Sequence, residues 1–381
     1  MTARPAPAAI ASAQLSLLPI ALGCLFFAAA LSSILLFRDD GRIAAIWLPN
    51  AVMLGLLLRI ESLRIAPTLA WLFPANLAAN LVVGDATGTA LTLALANNVE
   101  IGVAYALIAR WVGPRPDLED LRALGRVLVS ACVLAPSTSG LIAMAALAGP
   151  DASTTGAAWA IWVLTDGLGM MLVAPAVMIA IDAMQAPRQP TALADWRAWI
   201  LITGIGIAVS LLVFAQSSYP LLFLCAPVIL FHAYRLGMFA TALGTLVIAV
   251  IATVATSLDS GPIALMDGSL TSRLIVLQVF LASMFATGLP VAAALARKRR
   301  LLADLADRER QLALLANNVT DAVLRFDLNG TCVDASPSVR EVLARSREDF
   351  IGRSATALTH PESSDQIAAV TARLLTGEID K

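Results

Sequence analysis

The feature that most constrains the fold of this chain is a succession of long apolar segments across residues 15–296. A helix needs about 20 mainly apolar residues to cross the hydrocarbon core of a bilayer. The chain is 59% hydrophobic and 14% charged, whereas soluble domains are about 25% charged. We therefore predict an all-α polytopic membrane helix bundle. Its candidate spans are residues 15–37, 43–60, 63–83, 88–112, 121–148, 157–182, 197–215, 219–234, 237–257 and 271–296.

Two of these segments leave the number of crossings open. Residues 43–60 and 219–234 are near or below the length that spans a bilayer, so they could cross it, tilt within it or re-enter it. The sequence therefore predicts between eight and ten transmembrane helices. The loops between the segments are short, and the longest outer loop, Leu258–Leu270, contains turn residues. We expect any external signal to be sensed within the bilayer or at its surface.

The distribution of cations predicts the orientation of the bundle. Cytoplasmic loops of membrane proteins are enriched in Lys and Arg. If residues 1–14 form a cytoplasmic N-terminal segment and the chain crosses ten times, Arg38, Arg42 and Arg273 fall outside, and the remaining cations up to Arg300 fall inside. The sequence therefore predicts a multi-pass membrane protein with both termini in the cytoplasm.

Polar side chains inside several apolar segments form a candidate ligand-binding site. An ionised carboxylate at the centre of a bilayer costs about 2.5–3.5 kcal/mol on insertion scales, so acids there face partners or water rather than lipid. Asparagines could instead serve only as hydrogen-bonding links between helices. The sequence is compatible with both roles, ligand binding and hydrogen bonding between helices, for this set of residues. Its members are Asn50, Asn76, Asn80, Asn97, Glu100 and Asp166.

Residues 297–319 predict a helix that leaves the membrane on the cytoplasmic side. The segment opens with the cations Arg297–Arg300 and continues without Gly or Pro. Heptad positions are occupied by Leu305, Leu312 and Val319, with Leu302, Glu309 and Ala316 at the companion positions. This pattern fits a short parallel coiled coil that would make the protein a homodimer. A solvated helix that only separates two domains is the alternative.

The last segment, residues 320–381, predicts short strands and helices in water. Ala322–Asp327 and Thr331–Ala335 form a predicted hairpin around the turn Leu328-Asn329-Gly330. A helix follows Ser336-Pro337, and another covers Ser364–Leu375. With Phe350-Ile351-Gly352 and the turn His360-Pro361-Glu362, the segment resembles the first two-thirds of an α+β PAS domain. This resemblance implies a partial domain whose remaining strands would follow Lys381.

An ordered set of motifs in the apolar part resembles a known family. These motifs are WLPN, FPANLAANL, NNVEIGVAYALIAR, DGLGMMLVAP and APVILFHAYRLGMFAT. Together they resemble the membrane-associated sensor (MASE) domain of the first type, over residues 15–296. The resemblance implies eight spans and a sensory role upstream of cytoplasmic PAS domains. It also implies an output domain, which would be a GGDEF diguanylate cyclase that makes cyclic di-GMP or a histidine kinase of a two-component system.

Other functional classes remain compatible with the sequence. Buried polar residues and short apolar segments also suit a transporter or permease, and a membrane subunit that docks another membrane protein is a third possibility. The sequence contains no catalytic motif and no Cys/His cluster with metal-ligand spacing. We therefore predict no catalytic or metal site in this chain, no nucleic-acid partner, and leave any cofactor unspecified.

Overall fold

A computed structural model describes residues 7–37, 47–147, 152–185, 196–317, 322–327 and 329–375. The chain forms two compact units, Met1–Lys298 and Arg299–Lys381. The first unit is helical throughout the residues described. In chain order its helices are α1 (Pro7–Phe37), α2 (Pro49–Leu57), α3 (Ile65–Val82), α4 (Thr87–Trp111), α5 (Leu121–Leu128), α6 (Ala135–Leu147), α7 (Ala152–Gln185), α8 (Trp196–Phe214), α9 (Cys225–Arg235), α10 (Met238–Ser257) and α11 (Leu270–Asn317).

Eight helical stretches in the described residues are long and apolar enough to cross a bilayer, which confirms the prediction of an all-α membrane bundle. They are Leu18–Leu35, Ile65–Val82, Thr87–Trp111, Leu121–Ala145, Thr155–Gln185, Trp196–Phe214, Met238–Ser257 and Ser272–Leu312. The predicted second and eighth segments are different. Helix α2 has 9 residues and α9 has 11, so neither segment forms a full-length transmembrane helix.

Contacts at the ends of the helices show that the segment containing α9 nevertheless returns the chain across the bundle. Met238, at the start of α10, lines a cavity with Arg59 and Ala296 at one end. Helix α10 has 20 residues and is therefore about 30 Å long. At its other end Ser260 donates to the carbonyl of Phe214, the last residue of α8. Helices α8 and α10 thus run in the same direction, and residues 215–237 carry the chain back.

Helix α1 packs against α3. Gly23, in the middle of α1, lies against Trp71, near the start of α3. A return of the chain between these two helices, through the segment that contains α2, stays a prediction.

We call the end that contains Arg59 the basal end. There the Arg59 guanidinium donates to the Pro116 carbonyl at 2.8 Å and pairs with Asp182 at 2.7 Å. Arg297 pairs with Asp120 at 3.0 Å, and the same Asp120 oxygen accepts a hydrogen bond from the Arg122 amide at the start of α5. These contacts join the ends of α2, α4 and α7 to the last part of α11 within the first unit.

The fourth long stretch contains a π-helical turn that joins α5 to α6. It covers Val129–Leu134, and the Ala135 amide donates to the Ser130 carbonyl, five residues earlier. Pro136 supplies a physical reason, because it has no N–H and its ring would clash with the Cys132 carbonyl in a regular α-helix. The widened turn directs the Cys132 carbonyl towards Gly167 of α7.

Two glycines of α7 allow neighbouring backbone to approach this helix. A β-carbon at Gly167 would overlap the Cys132 carbonyl oxygen, and one at Gly169 would overlap the Trp47 carbonyl oxygen just before α2. Both glycines lie close to Asp166 in the sequence, so backbone approaches α7 from two sides near this acid.

The second unit contains the predicted hairpin. Strands β1 (Leu324–Phe326) and β2 (Cys332–Ala335) pair in antiparallel fashion, with Leu324 opposite Ala335. Helices α12 (Val339–Leu343) and α13 (Ser364–Leu375) follow. The small core consists of Cys332, Ala335, Val339 and Phe350. The elements expected from the sequence are therefore present, whereas the PAS assignment stays a prediction, as do the domain boundaries.

An ion pair stabilises this hairpin from outside its core. Arg347 lies 2.6 Å from Asp334 of β2 and donates a hydrogen bond to it. Chiefly through this bond, Arg347 lowers the pKa of the Asp334 carboxyl below its usual value. Because the folded-state pKa is lowered, the contribution of the pair is present at neutral pH and is lost as the pH falls through that pKa.

We predict that Gly169→Ala destabilises the membrane unit by about 1–3 kcal/mol, the usual cost of overpacking. The added methyl group would have to displace the backbone at Trp47, which leads into α2. Gly156→Ala in the same helix is the matched control, because its β-carbon would meet nothing within 4 Å. Reversible unfolding in lipid or detergent measures both variants. Equal stability of the two variants would contradict the tight approach of α2 to α7.

Candidate functional site

Glu100 is the centre of the polar residues buried in the membrane unit. It lies in the middle of α4, a helix of 25 residues, and its side chain is fully buried at 0% exposure. The Asn50 side-chain amide donates one hydrogen bond to Glu100 Oε1 at 3.1 Å and another to Asn97 Oδ1 at 2.8 Å. Asn50 follows Pro49, which opens α2. The short helix α2 therefore places a hydrogen-bond donor beside the Glu100 carboxyl group.

A serine and a tryptophan hold the other oxygen of Glu100. The Ser139 hydroxyl of α6 donates to Glu100 Oε2 at 2.5 Å. The Trp162 indole N–H of α7 donates in turn to Ser139 Oγ at 3.0 Å. Both oxygens of Glu100 thus accept hydrogen bonds, and both donors come from helices other than α4.

Asp166 of α7 brings a second carboxyl group to the site. Its side chain is 4% exposed and lies next to Glu100. Two neighbouring carboxyl groups can hydrogen-bond to each other only when at least one of them carries a proton. Among the described residues, Asp166 Oδ2 and Asn50 Oδ1 are buried oxygens that accept no hydrogen bond. We call Asn50, Asn97, Glu100, Ser139, Trp162 and Asp166 the polar site.

Asn76 and Asn80, the other predicted site residues, bond to each other. Asn80 donates to the Asn76 carbonyl at 2.9 Å and to Asn76 Oδ1 at 2.8 Å, within α3. The structure thus brings Asn50, Asn97, Glu100 and Asp166 together, and a role of Asn76 and Asn80 in the same site stays a prediction.

Sequence reasoning missed Ser139 and Trp162 as members of the site. A serine is common in membrane helices, and its position relative to Glu100 depends on how α4 packs on α6. Trp162 belongs to the same apolar segment as Asp166 and lies four residues before it, on the same helical face. That spacing was the available signal.

A buried hydrogen bond connects the neighbourhood of the polar site to α11. Gln278 of α11 donates from its amide to the hydroxyl of Thr165 at 3.2 Å. Thr165 directly precedes Asp166, and both Thr165 and Gln278 are buried. Any shift of α7 at Asp166 therefore changes a polar contact of α11.

The basal end contains a separate cavity of about 530 Å³. Its lining includes Arg59, Arg115 and Asp182, together with Ala296 of α11. Arg59 is paired with Asp182, and Arg115 is paired with Glu61 at 2.5 Å. Each of these arginines is therefore paired with an acid. The cavity is a second place, besides the Thr165–Gln278 contact, where the bundle meets α11.

Comparison with known proteins agrees with this architecture. Residues 16–300 match the family model MASE1. No curated protein matches the chain, and no solved structure does. The match covers most of the chain and nearly all of the membrane unit. The chain is therefore a multi-pass membrane protein and a membrane sensory module, and it belongs to the MASE1 family.

Proposed function

We propose that the polar site is the sensing element of this module and that α11 carries its state out of the membrane. The observation that carries the proposal is the buried hydrogen bond between Gln278 of α11 and Thr165, the neighbour of Asp166. A site of fully buried polar groups responds strongly to a bound ligand, because electrostatic interactions are stronger where water is excluded. Helix α11 runs without a break from Leu270 to Asn317.

The proposed output follows from the family resemblance and the second unit. The signal would pass through α11 and a PAS domain to a diguanylate cyclase that makes cyclic di-GMP, or to a histidine kinase. The hairpin and helices of residues 324–375 support a PAS fold.

A transporter is the alternative that a specific observation favours. Helices α2 and α9 are short elements inside a bundle of long helices, and Asn50 of α2 donates to the buried acid Glu100. Discontinuous helices beside a buried polar site are typical of transporters. The continuous α11 favours the sensor instead, because a transport mechanism has no need for a long helix that leaves the membrane. A docking subunit for another membrane protein has no comparable support.

We further propose that the basal end faces the cytoplasm of a bacterial inner membrane. Arg59, Arg115 and Arg297 all lie at this end, together with their acidic partners. Arg273 lies near the opposite end, paired with Asp259. The return of the chain at residues 215–237 places Arg59 and Arg115 at the same end as Arg297, and a cytoplasmic basal end then agrees with the positive-inside rule.

We also propose that α11 forms a parallel homodimer. In the single chain Leu305 is 55% exposed and Leu312 is 66% exposed, although both occupy heptad core positions. Burial of such leucines against a second copy is the usual source of coiled-coil stability. Val319, the third core position, lies outside the described residues.

Replacing Thr165 by Val should alter the output of the complete protein without loss of protein from the membrane. The change keeps the shape of the side chain and removes the acceptor of Gln278. Gln278→Leu should have a similar effect, and the double variant should be no more severe than either single one, because both remove the same contact. Cyclic di-GMP synthesis or phosphotransfer measures the output.

The matched control for that experiment is Thr245→Val. Thr245 is also buried, but its hydroxyl donates to the Thr241 carbonyl within its own helix. Normal output from Thr165→Val, Gln278→Leu and the control alike would reject the proposed coupling. Vectorial uptake by the purified chain in liposomes, lost in Glu100→Gln, would favour the transporter.

Cysteine labelling should place Ser62 and Ser218 on opposite sides of the membrane. Both side chains are exposed, and a membrane-impermeant maleimide should label Ser218→Cys from outside and Ser62→Cys only from inside. The unmodified chain, with Cys24, Cys132, Cys225 and Cys332, gives the background. The reverse pattern is expected if only the eight long helices cross and the N-terminus is inside, and it would overturn the proposed orientation.

Leu305→Cys should crosslink two chains in native membranes with a short bis-maleimide. Asp307→Cys is the control, because position 307 is exposed and lies on the opposite face of the proposed coiled coil. Selective crosslinking at position 305 is the expected result. Equal crosslinking at both positions, or at neither, would leave α11 as a simple spacer.

A further inference from the structure

We infer that the polar site binds one monovalent alkali cation, Na⁺, through the carboxyl and amide oxygens of Glu100, Asp166 and Asn50. The inference names the ligand of the site that we propose as the sensing element, and its sensory meaning rests on that proposal. It is argued from the charge of the site, from its unused oxygen atoms and from the helices around it.

Glu100 is the charged group of the proposed ion site. Both of its oxygens accept hydrogen bonds, from Asn50 and Ser139, as expected for a carboxylate with a negative charge. A buried charge without an opposite charge is strongly unfavourable, and one monovalent cation would neutralise it.

The site contains acceptor oxygens that receive no hydrogen bond from the described residues. Asp166 Oδ2 and Asn50 Oδ1 are buried, and within the described part of the chain no group donates to them. The Asn50 amide already donates to Glu100 and Asn97, so its oxygen belongs to the same cluster. The site thus has more acceptor oxygens than donors. Hard cations are held by such oxygens, whereas a ligand that brings further acceptors would not be satisfied here.

In the described helices around the acids, basic side chains are absent or lie far from Glu100. Helices α2, α3, α6 and α10 contain no Lys, Arg or His in their described ranges. On α4 the next cation is Arg110, about 15 Å along the helix axis from Glu100. On α5, Arg122 and Arg126 are exposed. The negative charge therefore has no protein cation at contact distance among these helices.

The monovalent class follows from the small number of oxygens at the site. Its proposed ligands are two carboxyl groups and one amide, whereas Ca²⁺ commonly takes 6–8 oxygen ligands, including several carboxylates. Glu100 is fully buried, and Trp162 donates to Ser139 beside it. This favours a small cation that sheds its water over one that remains hydrated.

Thermal unfolding of the full chain in nanodiscs, at constant pH and ionic strength, tests the inference. NaCl should raise the melting temperature in a saturable manner relative to choline chloride, because a ligand that binds only the folded state stabilises it. Equilibrium binding of ²²Na⁺ should give about one ion per chain. KCl should act more weakly. Equal effects of Na⁺ and choline, together with no bound ²²Na⁺, would overturn the inference without the need for any variant.

Variants then locate the ion. Asp166→Asn and Glu100→Gln should lose the Na⁺-dependent shift and the bound ²²Na⁺, whereas Asp267→Asn should retain both. Asp267 is an exposed acid, so this control removes the same charge from the surface. If Glu100→Gln fails to fold, Asp166→Asn and Ser139→Ala decide the location. Full ²²Na⁺ binding by folded Asp166→Asn would place the ion elsewhere and overturn the assignment.

The binding assay and the output assay fail independently. Bound Na⁺ with an output that does not depend on Glu100 would refute the sensing role and leave the ion site intact. An output that depends on Glu100, without any Na⁺ binding, would refute the ion site and leave the sensing role intact.

Discussion

The membrane unit depends on how a carboxyl group is accommodated in the middle of an apolar helix. Glu100 cannot face lipid at reasonable cost, and its own helix offers no free backbone donor there because these N–H groups are used within the helix. The donors must come from other helices. Asn50 arrives at the start of a short helix, and Ser139 follows a π-helical turn. The irregular elements of the bundle are thus the ones that meet Glu100.

Close packing around α7 makes this arrangement possible. Gly167 and Gly169 let the backbone at Cys132 and Trp47 approach α7 on both sides of the acid pair. Side chains larger than hydrogen would push these segments outward, and Asn50 would move away from Glu100 with them. Specificity for the site is therefore encoded partly in residues that make no polar contact. Because Thr165 lies next to Asp166, the same packing determines the position of the bond to Gln278.

Much of this architecture could be predicted from the sequence, for a definite reason. The length and apolar character of a span are local properties, so the long helices and the position of Glu100 within α4 are readable from composition. Segments 43–60 and 219–234 were ambiguous because a short return helix and a surface segment have the same length. Ser139 was missed because it reaches Glu100 only through the packing of α6 on α4.

The pairing of Arg297 with Asp120 has a consequence for the lipid that surrounds the protein. Both side chains are about half exposed, and an ion pair of this kind contributes about 0–1 kcal/mol. A cation beside an anionic leaflet gains about 1 kcal/mol from the surface potential. Headgroups and Asp120 therefore compete for Arg297 on nearly equal terms. If the basal end faces such a leaflet, a change in its content of anionic lipid would shift how firmly α11 is held to the loop before α5, whatever occupies the interior of the bundle.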